Sequence, residues 1–146
     1  MTWKELLAEK RVEPHATSKQ ELDDLRSAVS RNLRDAAIPQ LSADNRFGVA
    51  YEAALLLGKM AVACAGYRAK GQGAHQTTFA ALRLALGAGI GKTVTYLERC
   101  RRKRNELSYD MAGVVTDTEA AEILAQSQTL QKTVEQWIAK DHPHLS

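Results

Sequence analysis

Residues 47–65 read FGVAYEAALLLGKMAVACA, an apolar segment built mainly from small side chains. Its apolar residues recur at the three- and four-residue steps of a helix: Phe47, Ala50, Tyr51, Ala54, Leu55, Gly58, Ala61, Val62 and Ala65. Small residues let helix backbones approach closely, so this segment predicts the central helix of a bundle. Glu52 and Lys59 interrupt the apolar run, which argues against a membrane span.

Similar stripes on both sides of this segment predict the remaining helices. We expect a short helix at 3–10 and longer ones at 18–38, 93–109 and 116–138, with a shorter helix after His75. Helix caps are offered by Thr17 or Ser18, by Ser42, Asp44 or Asn45, and by Thr116 or Asp117. No stretch shows sustained strand alternation.

The sequence therefore predicts an all-α fold, a compact up-down bundle of four long helices plus a short one. The 146 residues form a single domain, 1–146, with its core at about 18–138, the short N-terminal helix at 3–10 and a flexible tail at 141–146.

Composition limits the classes of function. The net charge of +3 is modest, but the cations concentrate at 99–104. Cys64 and Cys100 match no zinc or redox spacing and predict buried free thiols in a reducing compartment. No hydrophobic signal region is present at the N-terminus, so we expect a cytoplasmic protein. We predict neither a metal nor another cofactor.

The most informative chemistry lies at residues 99–110, RCRRKRNELSYD. One helical stripe places the cation Arg104 among apolar residues. The members of this stripe are Ile90, Val94, Leu97, Cys100, Arg104 and Leu107. An unpaired buried charge is very costly, so an inward Arg104 needs an anion or several acceptors. Either a bound anion fills that role, or Arg104 forms an internal ion pair with Asp110 or with a carboxylate on another helix.

Two nearby features have ordinary structural explanations. Glu98 is placed to pair with Arg102 four residues later, and cations late in a helix complement its dipole. His75 begins the shorter helix, where the dipole disfavours a protonated imidazole, and is interpreted as a capping or surface residue or as part of a site.

The segment 87–93, GAGIGKT, misses P-loop spacing by one residue and follows a predicted helix, so we interpret it as a turn.

The combination of Arg104-Asn105 with Tyr109, near the end of the penultimate helix, resembles the HEPN superfamily. That family's hallmark is an arginine, four to six residues and then a histidine, with a polar residue often after the arginine. Looser similarity covers 73–78 and 96–102. The resemblance implies the following candidate catalytic residues: Arg104, Asn105, Tyr109 and Asp110. It implies nucleic-acid contacts from Arg99, Arg101, Arg102, Lys103 and His75.

The resemblance implies an RNA- or nucleotide-binding domain of a toxin–antitoxin or phage-defence system. Such domains often form homodimers, and some pair with a nucleotidyltransferase-type antitoxin. Two alternatives stay open: an active metal-independent ribonuclease, and a non-catalytic protein-interaction module. Tyr109 stands where active members have histidine, and a tyrosine with a pKa of about 10 is a poor base at neutral pH. Whether the chain is an enzyme is therefore left open.

Overall fold

The computed structural model describes residues 1–107 and 113–146. Its helices are α1 (Trp3–Ala8), α2 (Lys19–Ala36), α3 (Ala43–Cys64), α4 (Ala74–Leu86), α5 (Gly91–Leu107) and α6 (Asp117–Asp141), with 3-10 turns at Ala88–Ile90 and Pro143–Leu145. This arrangement confirms the predicted all-α bundle.

Residues 47–64 of the apolar segment belong to the central helix, α3. α3 packs against α2, α4, α5 and α6, and apolar residues are buried around most of its circumference. It also has the length and composition of a membrane span, but 67% of its apolar window is buried inside the fold. Its hydrophobicity is therefore explained by its place in the bundle core.

The helix starts follow local capping chemistry. The hydroxyls of Ser18, Ser42 and Thr116 each accept a hydrogen bond from the backbone N–H three residues later. The Glu119 carboxylate in turn accepts a hydrogen bond from the Thr116 backbone N–H, which completes a capping box. The three caps belong to the predicted sets.

A two-stranded antiparallel sheet is the first departure from the prediction; we call it the hairpin, although α2 and α3 separate its two strands in sequence. β1 (Val12–Pro14) pairs antiparallel with β2 (Tyr67–Ala69), with Glu13 opposite Arg68. Trp3 stacks on Tyr67 with ring centroids 4.5 Å apart. Strands of three residues are too short to show alternation, which is why the sequence pattern missed them.

The C-terminal tail is the second departure, since it forms a 3-10 turn that packs on the bundle through Leu145. Leu145 is buried, and its carbonyl accepts a hydrogen bond from Arg26 Nη2 at 2.8 Å. The same guanidinium pairs with Glu135 on α6. Arg26 lies on α2 far away in sequence, so no local pattern indicated this anchor.

Candidate functional site

Arg104 lies where α5 faces α3. Val94, Leu97 and Cys100 are buried on this side of α5, whereas Arg104 is half-buried and keeps contact with solvent. Its Nε lies 3.8 Å from the position that a Cβ on Gly48 would occupy. The Arg104 side chain therefore lies against α3 at Gly48, where an added Cβ would make an ordinary van der Waals contact with it.

Tyr51 lies one helical turn after Gly48 and contributes the next polar group. Its ring is buried and packs edge-on against Phe79, with centroids 6.0 Å apart. Its hydroxyl lies 3.2 Å from Nδ1 of His75, the second residue of α4. Burial raises the pKa of Tyr51 above its ordinary value, so the phenol stays protonated.

His75 is held by a turn that only glycine adopts easily. Gly73 has a φ of 72° directly before α4, which turns the chain into the helix that carries His75. Although His75 is exposed as a whole, its Nδ1 is directed at the buried Tyr51 hydroxyl. A neutral imidazole that accepts the Tyr51 proton at Nδ1 satisfies the buried hydroxyl and leaves Nε2–H as a donor.

The charges around His75 also favour its neutral form. Burial is the largest cause of its lowered pKa; the positive charges of Lys59, Arg104 and Arg101 add to it, and Glu52 opposes it. Arg104 and Arg101 are therefore close enough to α4 to act on His75 electrostatically. The structure brings these three predicted site residues into one cluster with Tyr51, which we call the Arg104 cluster: Tyr51, His75, Arg101 and Arg104.

Glu98 pairs with Arg101 and not with Arg102, contrary to the expected salt bridge. Arg101 Nε lies 3.2 Å from Glu98 Oε2, and both side chains are about one-fifth exposed. Arg102 is exposed to solvent. Arg101 lies on the partly buried side of α5, where its less hydrated guanidinium attracts Glu98 more strongly than the exposed Arg102 would.

Two other cations of the run face a different neighbour. The Arg99 guanidinium lies 5.6 Å from the centre of the Tyr96 ring, and Lys103 pairs with Glu119 of α6 at 3.1 Å. Both line a small cavity of about 240 Å³ that also contains Glu122. The basic run is thus divided between two sides of α5, and only Arg101 and Arg104 belong to the Arg104 cluster.

The remaining predicted residues have simpler outcomes. Asn105 is exposed on α5, and Tyr109 and Asp110 lie outside the described residues. Outside the predicted set, His15 pairs with Glu21 at 2.8 Å. Within residues 1–107 and 113–146, no group of three or more histidine, cysteine or acidic side chains is arranged to hold a metal ion.

Tyr51 and Gly48 are the site residues that sequence reasoning missed. The sequence pattern predicts a core position for Tyr51 and no role for Gly48, because both residues fit a helix built from apolar and small residues. A weak signal was present: Tyr51 and Glu52 are adjacent residues that carry polar groups inside a mainly apolar segment. Only the packing of α4 on α3 shows that the Tyr51 hydroxyl meets a histidine.

No protein-family model matches the chain, and neither a curated protein nor a solved structure shows significant similarity to it. The class of protein is therefore described by its fold and its candidate site. It is an all-α bundle whose central helix, α3, meets an arginine pair from α5 and a histidine from α4.

Proposed function

We propose that this protein is a cytoplasmic HEPN-like domain that binds RNA or a nucleotide at the Arg104 cluster. The observation that supports this proposal best is the half-buried Arg104, held against Gly48 within electrostatic range of His75. A guanidinium that is partly desolvated and still reachable binds phosphate oxygens more strongly than a fully hydrated one. On the family resemblance, Asn105 and Tyr109 are further proposed contact residues; of these the structure describes only Asn105.

The exposed cations of α5 supply the long-range attraction in this proposal. Arg99 and Arg102 are exposed, so they would draw a polyanion toward α5 without fixing its position. Binding should weaken as salt rises, because phosphate contacts release counterions. On the family resemblance we further propose a homodimer, a toxin–antitoxin or phage-defence context and a nucleotidyltransferase-type antitoxin as partner.

A second candidate, a metal-independent ribonuclease, is favoured by one specific observation. His75 has a lowered pKa and lies near Arg104, so it offers a neutral imidazole in place of the missing family histidine. This reaction uses the other tautomer of His75, in which Nδ1–H donates to the Tyr51 oxygen. Nε2 would then take the proton of a ribose 2′-hydroxyl as that oxygen attacks the adjacent phosphorus. The bond between phosphorus and the 5′-oxygen then breaks, and the leaving oxygen takes a proton from solvent to become a 5′-hydroxyl. A 2′,3′-cyclic phosphate remains, and Arg104 stabilises the phosphoryl charge during the step.

Incubation of metal-free protein with mixed cellular RNA, followed by separation of the products, tests both candidates. The parent is compared with Arg104→Ala and His75→Asn, each shown to be folded by circular dichroism. Arg31→Ala is the matched control, because Arg31 is an exposed arginine on α2.

Cleavage to 2′,3′-cyclic phosphate ends, lost in both site variants, would establish the ribonuclease. Retention of RNA without cleavage, reduced in Arg104→Ala and unchanged in Arg31→Ala, would support the binding domain. The absence of both cleavage and RNA retention would contradict both candidates. A lowered melting temperature of Arg104→Ala would then favour the third interpretation, a protein-interaction module in which Arg104 is structural.

A further inference from the structure

A second cavity, separate from Arg104, opens between the hairpin and three helices. Its volume is about 490 Å³, within the range of small-molecule sites. We call it the hairpin cavity; its walls come from α2, α3, β2 and α4, with His15 at the loop before α2. It shares a single residue, His75, with the Arg104 cluster.

The inner wall of the hairpin cavity is apolar. Val62 and Ala63 are buried on α3, and Leu25 is half-buried on α2. Thr78 also lines the cavity, but its hydroxyl already donates to the Ala74 carbonyl at 2.8 Å. This wall therefore suits the hydrocarbon part of a ligand and offers it few hydrogen bonds.

Most charges at the rim are already paired. Glu21 accepts hydrogen bonds from His15 and Thr17 at 2.8 and 2.9 Å, which hold the pKa of its carboxyl below the ordinary value. Arg68 forms a salt bridge with Glu13 across the hairpin. These pairs leave little charge for a ligand to neutralise.

Lys59 differs from the other charged residues of the rim. Within the described parts of the chain it forms no hydrogen bond or salt bridge, and its charge acts on His75 beside it. His75 in turn offers Nε2–H when Tyr51 occupies Nδ1. One unpaired cation next to one neutral donor matches a single negative charge, so a dianion such as a phosphate monoester would keep one charge without a partner.

We propose that the hairpin cavity binds a small monoanionic carboxylate with an apolar body. Lys59 and His75 hold the carboxylate, and the hydrocarbon packs against Leu25, Val62 and Ala63. Recognition is by charge at one end and by apolar contact at the other. The proposal does not rest on RNA binding, because Arg104 does not line this cavity.

Titration of the full chain with octanoate, followed by methyl and histidine-ring NMR, tests the proposal. Saturable shifts are expected for the Leu25 and Val62 methyl groups and for the His75 ring. Lys59→Gln should weaken binding roughly tenfold or more, because it removes one charge-assisted contact. Lys140→Gln, which changes an exposed lysine at the end of α6, should bind like the parent.

Octylamine and octyl phosphate complete the test at equal chain length. The cation should not saturate the site, and the dianion should bind more weakly than octanoate. Equal binding of octylamine, equal binding by Lys59→Gln, or no saturable shift with octanoate would overturn the proposal. Arg104→Ala should keep octanoate binding, so a loss of RNA binding in that variant is distinguished from damage to the hairpin cavity.

Discussion

At the scale of single residues, His75 carries the clearest consequence for pH. Its pKa is lowered from an ordinary 6.5, because burial and the charges of Lys59, Arg104 and Arg101 outweigh Glu52. At pH values between the lowered pKa and the ordinary pKa, the unfolded chain therefore binds more protons than the native protein. The contribution of neutral His75 to stability is present above pH 6.5 and is lost as the pH falls through the lowered value.

Urea unfolding of the parent and of His75→Asn between pH 5 and about pH 8 measures this contribution. The free energy of unfolding of the parent, relative to the variant, should fall as the pH drops below 6.5. The asparagine of the variant keeps a hydrogen-bonding group near Tyr51 but does not titrate. A difference that stays constant with pH would show that His75 is not coupled to the fold in this way.

The two cysteines give a second prediction at this scale. Burial raises the pKa of Cys64 and of Cys100 to about 11, so few thiolates form at pH 8. Native protein should react with a thiol reagent at pH 8 roughly tenfold or more slowly than protein in urea. Equal rates in the two states would contradict the buried positions of both thiols.

At the scale of the helices, two glycines of α3 are expected to behave in opposite ways. A Cβ on Gly58 would lie 2.9 Å from Cγ2 of the buried Thr78, so α3 and α4 are in close contact there. Among the described residues, a Cβ on Gly48 meets only the Arg104 side chain, at 3.8 Å, an ordinary contact distance. An alanine in a helix is otherwise favoured over glycine by about 1 kcal/mol.

Gly58→Ala should therefore lower the melting temperature, because the clash with Thr78 exceeds the gain in helix propensity. Gly48→Ala should raise the free energy of unfolding by about 0.5–1 kcal/mol. Thermal unfolding followed by circular dichroism compares the two variants in one helix. A stabilised Gly58→Ala would show that α3 and α4 pack less closely than described.

Helix positions were predictable because their signals are local. Ser18, Ser42 and Thr116 cap the helices that follow them, and the apolar periodicity of residues 47–65 identified the central helix. The hairpin was not predictable, since three residues of β1 carry no periodic pattern. The packed tail depends on Arg26, whose partners Glu135 and Leu145 are distant in sequence.

At the scale of the whole molecule, the candidate site could be predicted only in part. The break in the apolar stripe of α5 indicated that Arg104 needs an explanation. The neighbours of Arg104 come from other helices, however, so Gly48 had no sequence signal of its own and Tyr51 had only a weak one. The division of the basic run, with Lys103 paired to α6, likewise depends on tertiary packing.

The central claim is that the Arg104 cluster binds the phosphates of RNA. Fluorescence anisotropy with a labelled single-stranded RNA at several salt concentrations tests it most directly, on the parent, Arg104→Gln and the α2 control Arg31→Gln. We predict that Arg104→Gln weakens binding about tenfold and reduces the salt slope by about 0.7, the value for one phosphate contact on a single strand. Arg31→Gln should match the parent. Equal affinity and equal slope in the parent and Arg104→Gln would contradict the account.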